Sequence, residues 1–418
     1  MQNEPKPLNI PSPASFFAHS RTPSMEDLEP NACHEAWMAF CASDDRENAI
    51  DLSVSNATRV GLPSVIPPPE SLQTAIEAAY TASPQGLLPA RQAIARYYAS
   101  FGASPDPDNI QLFASTSEAV GALIKLVCQP QDEIITFSPT YPLLDCLCSL
   151  ESVVLREVFL QDCAGEWAID FWALEQCVNA HTRAVIVVSP NNPTGHCMRI
   201  QEFEHLVDFC ARRGLLLIVD EVFAGYRLDQ DTELVHQPAA YYAQSGLVVS
   251  LSGLSKVCGL PQHKLGWGLF GGAPDIVREA MQRLSFITDS TLSVSGWVQR
   301  IAPSLLEKHD TFSAPCIARL RENMRILREI AASHETVMWT IDRIHGGWSA
   351  CIRLPAWAGA DEDHACALAH RGVRVFPGSF FGYRPSNPTL VLSLIVPPDV
   401  FRKGAERLAA YLESELNG

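Results

Sequence analysis

Two hydrophobic rhythms alternate along the chain from residue 70 onward. ESLQTAIEAAY (70–80) and LPARQAIARYYASFG (88–102) place apolar residues at helical spacing, the second running out at Gly102. Short apolar runs follow, NIQLFAS (109–115), DEIITFS (132–138), AVIVVS (184–189), LLLIVD (215–220) and GLVVSLS (246–252), and these read as strands. Helical stretches separate several of them: TSEAVGALIKLVC (116–128), YPLLDCLCSLE (141–151) and IQEFEHLVDFCARRG (200–214). The runs lack strict polar–apolar alternation, so the pattern predicts an α/β fold with a parallel sheet buried on both faces. Near residue 300 the rhythm changes. SAPCIARLRENMRILREIAASH (313–334) predicts a long helix, and GGWSACIRLP (346–355), GVRVFPG (372–378) and LVLSLIV (390–396) predict strands of a smaller α+β domain. This divides the chain into a large domain over 71–300, a small domain from 46–70 with 301–418, and an irregular, proline-broken arm over 1–45.

Composition narrows the class of partner. The 418 residues carry a formal charge of −16 with no basic run, which argues against nucleic acid or an anionic membrane as partner. Thirteen scattered cysteines include no C-x-x-C, so neither zinc-ribbon spacing nor a redox motif is present, and no metal is expected. The N-terminal stretch lacks the basic and apolar regions of a signal peptide, and runs such as LLLIV (215–219) are too short to span a bilayer. A cytoplasmic protein is expected.

Four segments at predicted strand ends carry the candidate chemistry. STSEA (115–119) meets a helix N-terminus, whose free N–H groups and dipole suit a phosphate; it reads equally as a Ser/Thr cap with Glu118 behind it. SPNNPTG (189–195) reads as ordinary turn chemistry, or as a turn that aims an asparagine at a ligand from the carboxyl end of a parallel strand. In VDEVF (219–223) two acids follow an apolar strand, where a carboxylate caps a helix, ligates a metal, or pairs with a cationic ring nitrogen. SGLSKVCGLPQHKLGW (252–267) sets a lysine just after a strand, either as a solvated charge or as a nucleophile whose pKa burial lowers.

In this order and spacing, NNPTG, then D-E-x-F, then S-K-x-x-G-L-P, the chain resembles fold-type-I pyridoxal-phosphate enzymes of the aminotransferase class I/II family over roughly residues 50–415. The resemblance implies a large domain with a mostly parallel, seven-stranded type of sheet between helices, a smaller α+β domain, and pyridoxal 5'-phosphate as cofactor. It makes Lys256 the internal-aldimine lysine, Asp220 the partner of the pyridine nitrogen, and Tyr141 the aromatic that stacks on the ring, these three being the catalytic set. It makes Asn192 the hydrogen-bond partner of the phenolic oxygen, and Thr116, Ser117, Ser255 and Lys264 the phosphate contacts. Tyr80 would reach the phosphate of a neighbouring subunit, in a homodimer.

Several positions depart from the family's pattern. Lys264 stands where an arginine is usual and Phe223 where a tyrosine often donates to the phenolic oxygen; Ser115 replaces a glycine of the phosphate turn. In LVLS (390–393), Val391 occupies the place of the arginine that clamps an α-carboxylate. Arg59, Arg353 and Arg384 are the candidates to replace it, with Arg59 the first choice. The leading expectation is an aminotransferase acting on a small amino compound by a ping-pong mechanism. The alternative is another pyridoxal-phosphate reaction: β- or γ-elimination or replacement, cyclisation, decarboxylation or oxidation. A non-catalytic regulator would need a DNA-binding helix-turn-helix, for which the first 50 residues give no room.

Overall fold

The computed structural model describes residues 22, 31–163, 166–229, 231–292, 294–333 and 338–416. Its main sheet has seven strands, in the spatial order Ile110–Phe113, Gly266–Gly272, Leu247–Gly253, Leu216–Asp220, Thr182–Val188, Glu133–Ser138 and Val154–Phe159. Gly266–Gly272 is antiparallel to both its neighbours and all other pairings are parallel. The reason for the non-alternating apolar runs is visible in Leu216–Val219. Leu217 and Val219 belong to one hydrophobic cluster and Leu216 and Ile218 to another, because successive side chains point to opposite faces and both faces are covered.

The helices expected at 70–80, 88–102, 116–128, 141–151, 200–214 and 313–334 are present with shifted ends, whereas Pro274–Ser290 and Gly296–Glu307 lie where the sequence pattern marks no helix. The segment expected over 70–80 is helical only across Pro69–Glu77, leaving Tyr80 beyond the helix end, while Ile200–Arg213 ends at Gly214, whose φ of 64° supplies the left-handed cap. Periodicity missed the strand Gly266–Gly272, since glycine disfavours strands. Packing explains it: a Cβ on Gly271 would lie 1.7 Å from the Ala240 carbonyl oxygen, so the short helix Ala239–Tyr242 could not cross there over any larger residue.

A second, antiparallel sheet runs Thr340–Ile341, Ser349–Arg353, Thr389–Ser393, Phe376–Pro377. GVRVFPG therefore splits: Phe376–Pro377 joins this sheet, whereas Val373–Arg374 pairs in parallel with Ile50–Asp51. Ser393 N–H donates to the Leu52 carbonyl at 2.6 Å, so residues 50–52 are stitched to the C-terminal third of the chain. The long helix Asp310–Ser333 packs against Pro398–Leu416.

The arm expected to be irregular is helical over Ala32–Cys41, capped by Asn31. Ala36 and Trp37 are buried with Ala369 of the helix Asp361–His370. The flanking prolines hid a short apolar face that only a tertiary partner makes stable. The remainder of the arm, 1–21 and 23–30, lies outside the described residues. Among the described residues no helix is long and apolar enough to cross a membrane.

Asn323, fully buried in the long helix, donates from Nδ2 to the carbonyls of Leu394 (2.8 Å) and Val396 (2.7 Å), tying that helix to the chain leaving the second sheet. Asn323→Ala should destabilise the protein by about 2–4 kcal/mol, since two buried carbonyls lose their donors. Urea denaturation measures it, and a loss under about 0.5 kcal/mol would contradict this account.

Candidate active site

A cavity of about 650 Å³ opens at the carboxyl ends of the parallel strands, where the second sheet closes over the first. Asp220 is the last residue of its strand, in register with Val188 on one side and Leu251 on the other. Those two neighbours lead, four and five residues further on, to Asn192 and Lys256, and all three residues line the cavity. Tyr141, shortly after the strand Glu133–Ser138, lines it too.

The turn 189–195 uses its two asparagines differently. Asn191 is buried and structural: its Oδ1 accepts from the Thr194 N–H (3.2 Å) and hydroxyl (3.0 Å), and its Nδ2 donates to the Pro139 carbonyl. Asn192 is thereby left to face the cavity. Gly195 has φ 69°, and a Cβ there would lie 2.7 Å from the Gly346 carbonyl oxygen and 2.9 Å from Ile344 Cβ, so a side chain would push the loop 344–346 away.

At one end the lining is Ser115, Thr116, Ser117, Ser255, Lys264 and Gly266. The cap reading of STSEA holds here, and it leaves room for the anion-site reading. Ser115 Oγ accepts from the Glu118 N–H and the Glu118 carboxylate accepts from the Ala114 N–H, so the helix Thr116–Val127 is capped reciprocally while Thr116 and Ser117 still line the cavity. A Cβ on Gly266 would meet the Ser115 carbonyl carbon and the Thr116 nitrogen at 2.9 Å, so glycine lets the antiparallel strand close against this helix start.

Burial governs the electrostatics. Desolvation lowers Lys256 to about 8, against the pull of Asp220. Desolvation likewise raises Asp220 to about 6, opposed by the Val222 N–H that bonds its Oδ1 and by Lys256. Each group keeps the other from full neutralisation. The Tyr141 hydroxyl is raised by burial and by the Asp220 charge. Glu221, beside Asp220, is pushed up to about 8 by burial, only partly offset by the Ser250 hydroxyl and the Ala239 N–H.

Three neighbours were not singled out from sequence. Trp348 stands beneath Lys256, whose Nζ lies 4.3 Å from the indole centroid and 5.3 Å from that of Phe223. The Tyr226 hydroxyl donates to the Lys256 carbonyl. Buried Cys351 donates to the Pro193 carbonyl at 3.4 Å and accepts from the Tyr383 hydroxyl. The GGW triplet was the available signal for Trp348, but nothing local marks Tyr226 or Cys351.

Other candidates fall elsewhere. Val391 lines the cavity, but none of the three arginines proposed in its stead does. Arg59 is exposed on the short turn Ala57–Arg59, so the structure does not bring this first choice into the cavity. Arg353 is held by Asp162 and Asp342, and Arg384 lies over the Phe159 ring in a neighbouring cleft. Tyr80 is 72% exposed and outside this chain's cavity. Among the described residues no group of His, Cys, Asp and Glu could hold a metal.

The family model for aminotransferases of class I and II matches residues 49–403. Capreomycidine synthase of Streptomyces vinaceus is 30% identical over 283 residues, 66% of this chain and 69% of that protein. The probable N-succinyldiaminopimelate aminotransferase DapC of Mycobacterium tuberculosis (strain ATCC 25618 / H37Rv) is 27% identical over 335 residues, 77% of this chain and 81% of that protein. Among solved structures, the alanine aminotransferase of Pyrococcus furiosus aligns with a TM-score of 0.79 at 18% identity, over 94% of this chain and 100% of that one, a likeness of fold.

The raised Glu221 makes stability depend on pH. Its folded pKa, about 8, exceeds the ordinary 4.5, so its contribution is complete below about pH 4.5 and is lost as pH rises through 8. Across that window each pH unit is worth up to about 1.4 kcal/mol. Glu221→Gln should therefore lose less stability than wild type between pH 5 and 8 in paired urea denaturations. Parallel pH profiles would show that Glu221 is not protonated in the fold.

Proposed function

The chain belongs to the aminotransferase class I and II family, and on that premise we propose that it transfers an amino group from a small amino compound, with Lys256 as the covalent anchor of the cofactor and the carrier of the proton. The family's cofactor is pyridoxal 5'-phosphate, which when bound supplies an aldehyde to accept the amino group and a ring to hold the electrons of the broken bond. The residues present fit it. The partly buried Asp220 carboxylate accepts one backbone N–H and is pushed toward protonation, so a ring N–H is a chemically matched partner. Thr116, Ser117, Ser255 and Lys264 would hold the phosphate at the helix start. Asn192 would donate to the ring oxygen and Tyr141 would cover the ring face.

The observation that carries this reading is that Lys256 and Asp220, at the ends of adjacent central strands, line one cavity with that hydroxyl-rich helix start. Lys256, lowered to about 8, is partly neutral near physiological pH and so able both to attack a carbonyl carbon and to take a proton from the substrate's amine-bearing carbon. A second reading, a different reaction type on the same cofactor, is favoured by the relative named a synthase.

Borohydride reduction of the loaded enzyme and peptide mapping should find the pyridoxyl group on Lys256; a label on Lys264 would refute the anchor. Adding an amine donor should then convert the absorbance of the unreduced enzyme to that of the pyridoxamine form, with one equivalent of carbonyl product. Product without that form would favour the second reading.

Tyr80, Ile66 and Ile76 are each more than two-thirds exposed, an apolar load suited to a second copy of the chain. A homodimer is therefore proposed, with Tyr80 reaching the partner's phosphate end. Sedimentation should give the dimer mass, and an active monomer would rule it out.

A further inference from the structure

The cavity lined by Lys256 and Asp220 has an uneven distribution of charge. Among the described residues, Lys256 and Lys264 are the cations that line it. Lys256 rests over Trp348 and Phe223, and Lys264 belongs to the hydroxyl-rich end with Thr116 and Ser117. The wall away from that end is apolar. Val391, 2% exposed, faces Cys351 and Phe376 on the flanking strands. Phe376 stacks on Phe380 (centroids 5.4 Å apart, planes within 7°), and Phe380 meets Phe381 edge-on at 5.2 Å.

Among the described residues, the arginines on the strands and the long helix behind this wall are engaged elsewhere, and Arg59, which is exposed, does not line the cavity. Arg353 is clamped by Asp162 and Asp342. Arg374 sits 3.7 Å from Asp51 and over Trp37, and Arg319 donates to the Val60 and Ile395 carbonyls. Two hydroxyls of the lining are engaged as well: Ser53 donates to Asp51 and Ser393 to the Val54 carbonyl. An anion placed against this wall would lose hydration, find no cation supplied by the wall's own residues, and share the cavity with the Asp220 carboxylate.

We infer that the amino substrate is a primary amine bearing a bulky apolar group, aryl or branched alkyl, with no carboxylate on its amine-bearing carbon. This rests on the aminotransferase reading of the same site. In the transfer the substrate exchanges its nitrogen for the aldehyde oxygen of the cofactor. The amine carbon would be oxidised by two electrons to an aldehyde or ketone, those electrons being taken up by the aldehyde that the bound cofactor would supply, with Lys256 Nζ carrying the proton between the two carbons. The aromatic wall accepts the apolar group, and Ser55 and Ser349, two neutral hydroxyls at the same cavity, can serve an uncharged polar substituent.

Three ligands of nearly one shape separate charge from size: 2-phenylethylamine, L-phenylalanine and L-phenylalaninamide. Calorimetric titration of the cofactor-loaded enzyme should show the amine and the amide binding alike and the carboxylate about tenfold or more weaker, the penalty of a buried unpaired charge. Val391→Arg should narrow or invert that gap, and the wild-type ligand series decides the matter even if this variant does not fold. Phenylalanine binding as tightly as the amine would overturn the inference, as would failure of all three to bind. If the amine binds preferentially but no pyridoxamine form appears, recognition of the amine stands and the aminotransferase reading falls.

Discussion

A carboxylate and an ammonium held at the desolvated ends of neighbouring parallel strands set the terms for the rest of this molecule. Asp220 and Lys256 are each driven toward neutrality by burial and each restrained by the charge of the other. Such a pair is costly unless something compensates. The compensation is built from the sheet outward: a Val222 N–H on the carboxylate, two aromatic faces beside the ammonium, and apolar clusters on both sheet faces that keep the strand ends in place. The same arrangement lowers the lysine to about 8, so that a fraction of it is neutral near physiological pH, the state useful for nucleophilic attack and proton transfer.

The second sheet does more than cover the cavity. Cys351 on its strand Ser349–Arg353 reaches the Pro193 carbonyl beside Asn192, and the loop 344–346 presses on Gly195 with N–H groups from His345 and Gly346 on its carbonyl. The turn that presents Asn192 is therefore shaped from both sheets. Trp348 follows directly on that loop, so the residue beneath Lys256 and the support of the asparagine turn share one segment of chain. Val391 and Phe376, on strands of this sheet, supply the apolar wall.

The comparison with sequence is sharpest where local and tertiary demands diverge. STSEA is open to two readings, cap or anion site; the Ser115–Glu118 exchange makes the cap, and the same geometry leaves Thr116 and Ser117 at the cavity, so the two readings do not compete. The helix Ala32–Cys41 was hidden by prolines around it, and the strand Gly266–Gly272 by its glycines; each exists because of what packs on it. Arg59 is the first choice because it follows the SNAT segment (55–58), which in the family's chain order lies near the site mouth, and chain order carries no information about which way a turn faces.

The sequence by itself determined the α/β class, the central parallel strands with the helices between them, and the residues at those strand ends, but not the strands Val154–Phe159 and Gly266–Gly272 or the helices Ala32–Cys41, Pro274–Ser290 and Gly296–Glu307. Runs buried on both faces, caps and turn residues are local signals that need no partner to be read. Tertiary structure alone decided which of those strand ends face one cavity, that Trp348, Tyr226 and Cys351 support it, and that Arg353, Arg374 and Arg384 are engaged elsewhere. The physical reason is that desolvation and pairing depend on separations in space between residues far apart in the chain. A charge written in the sequence has no environment until the fold supplies one.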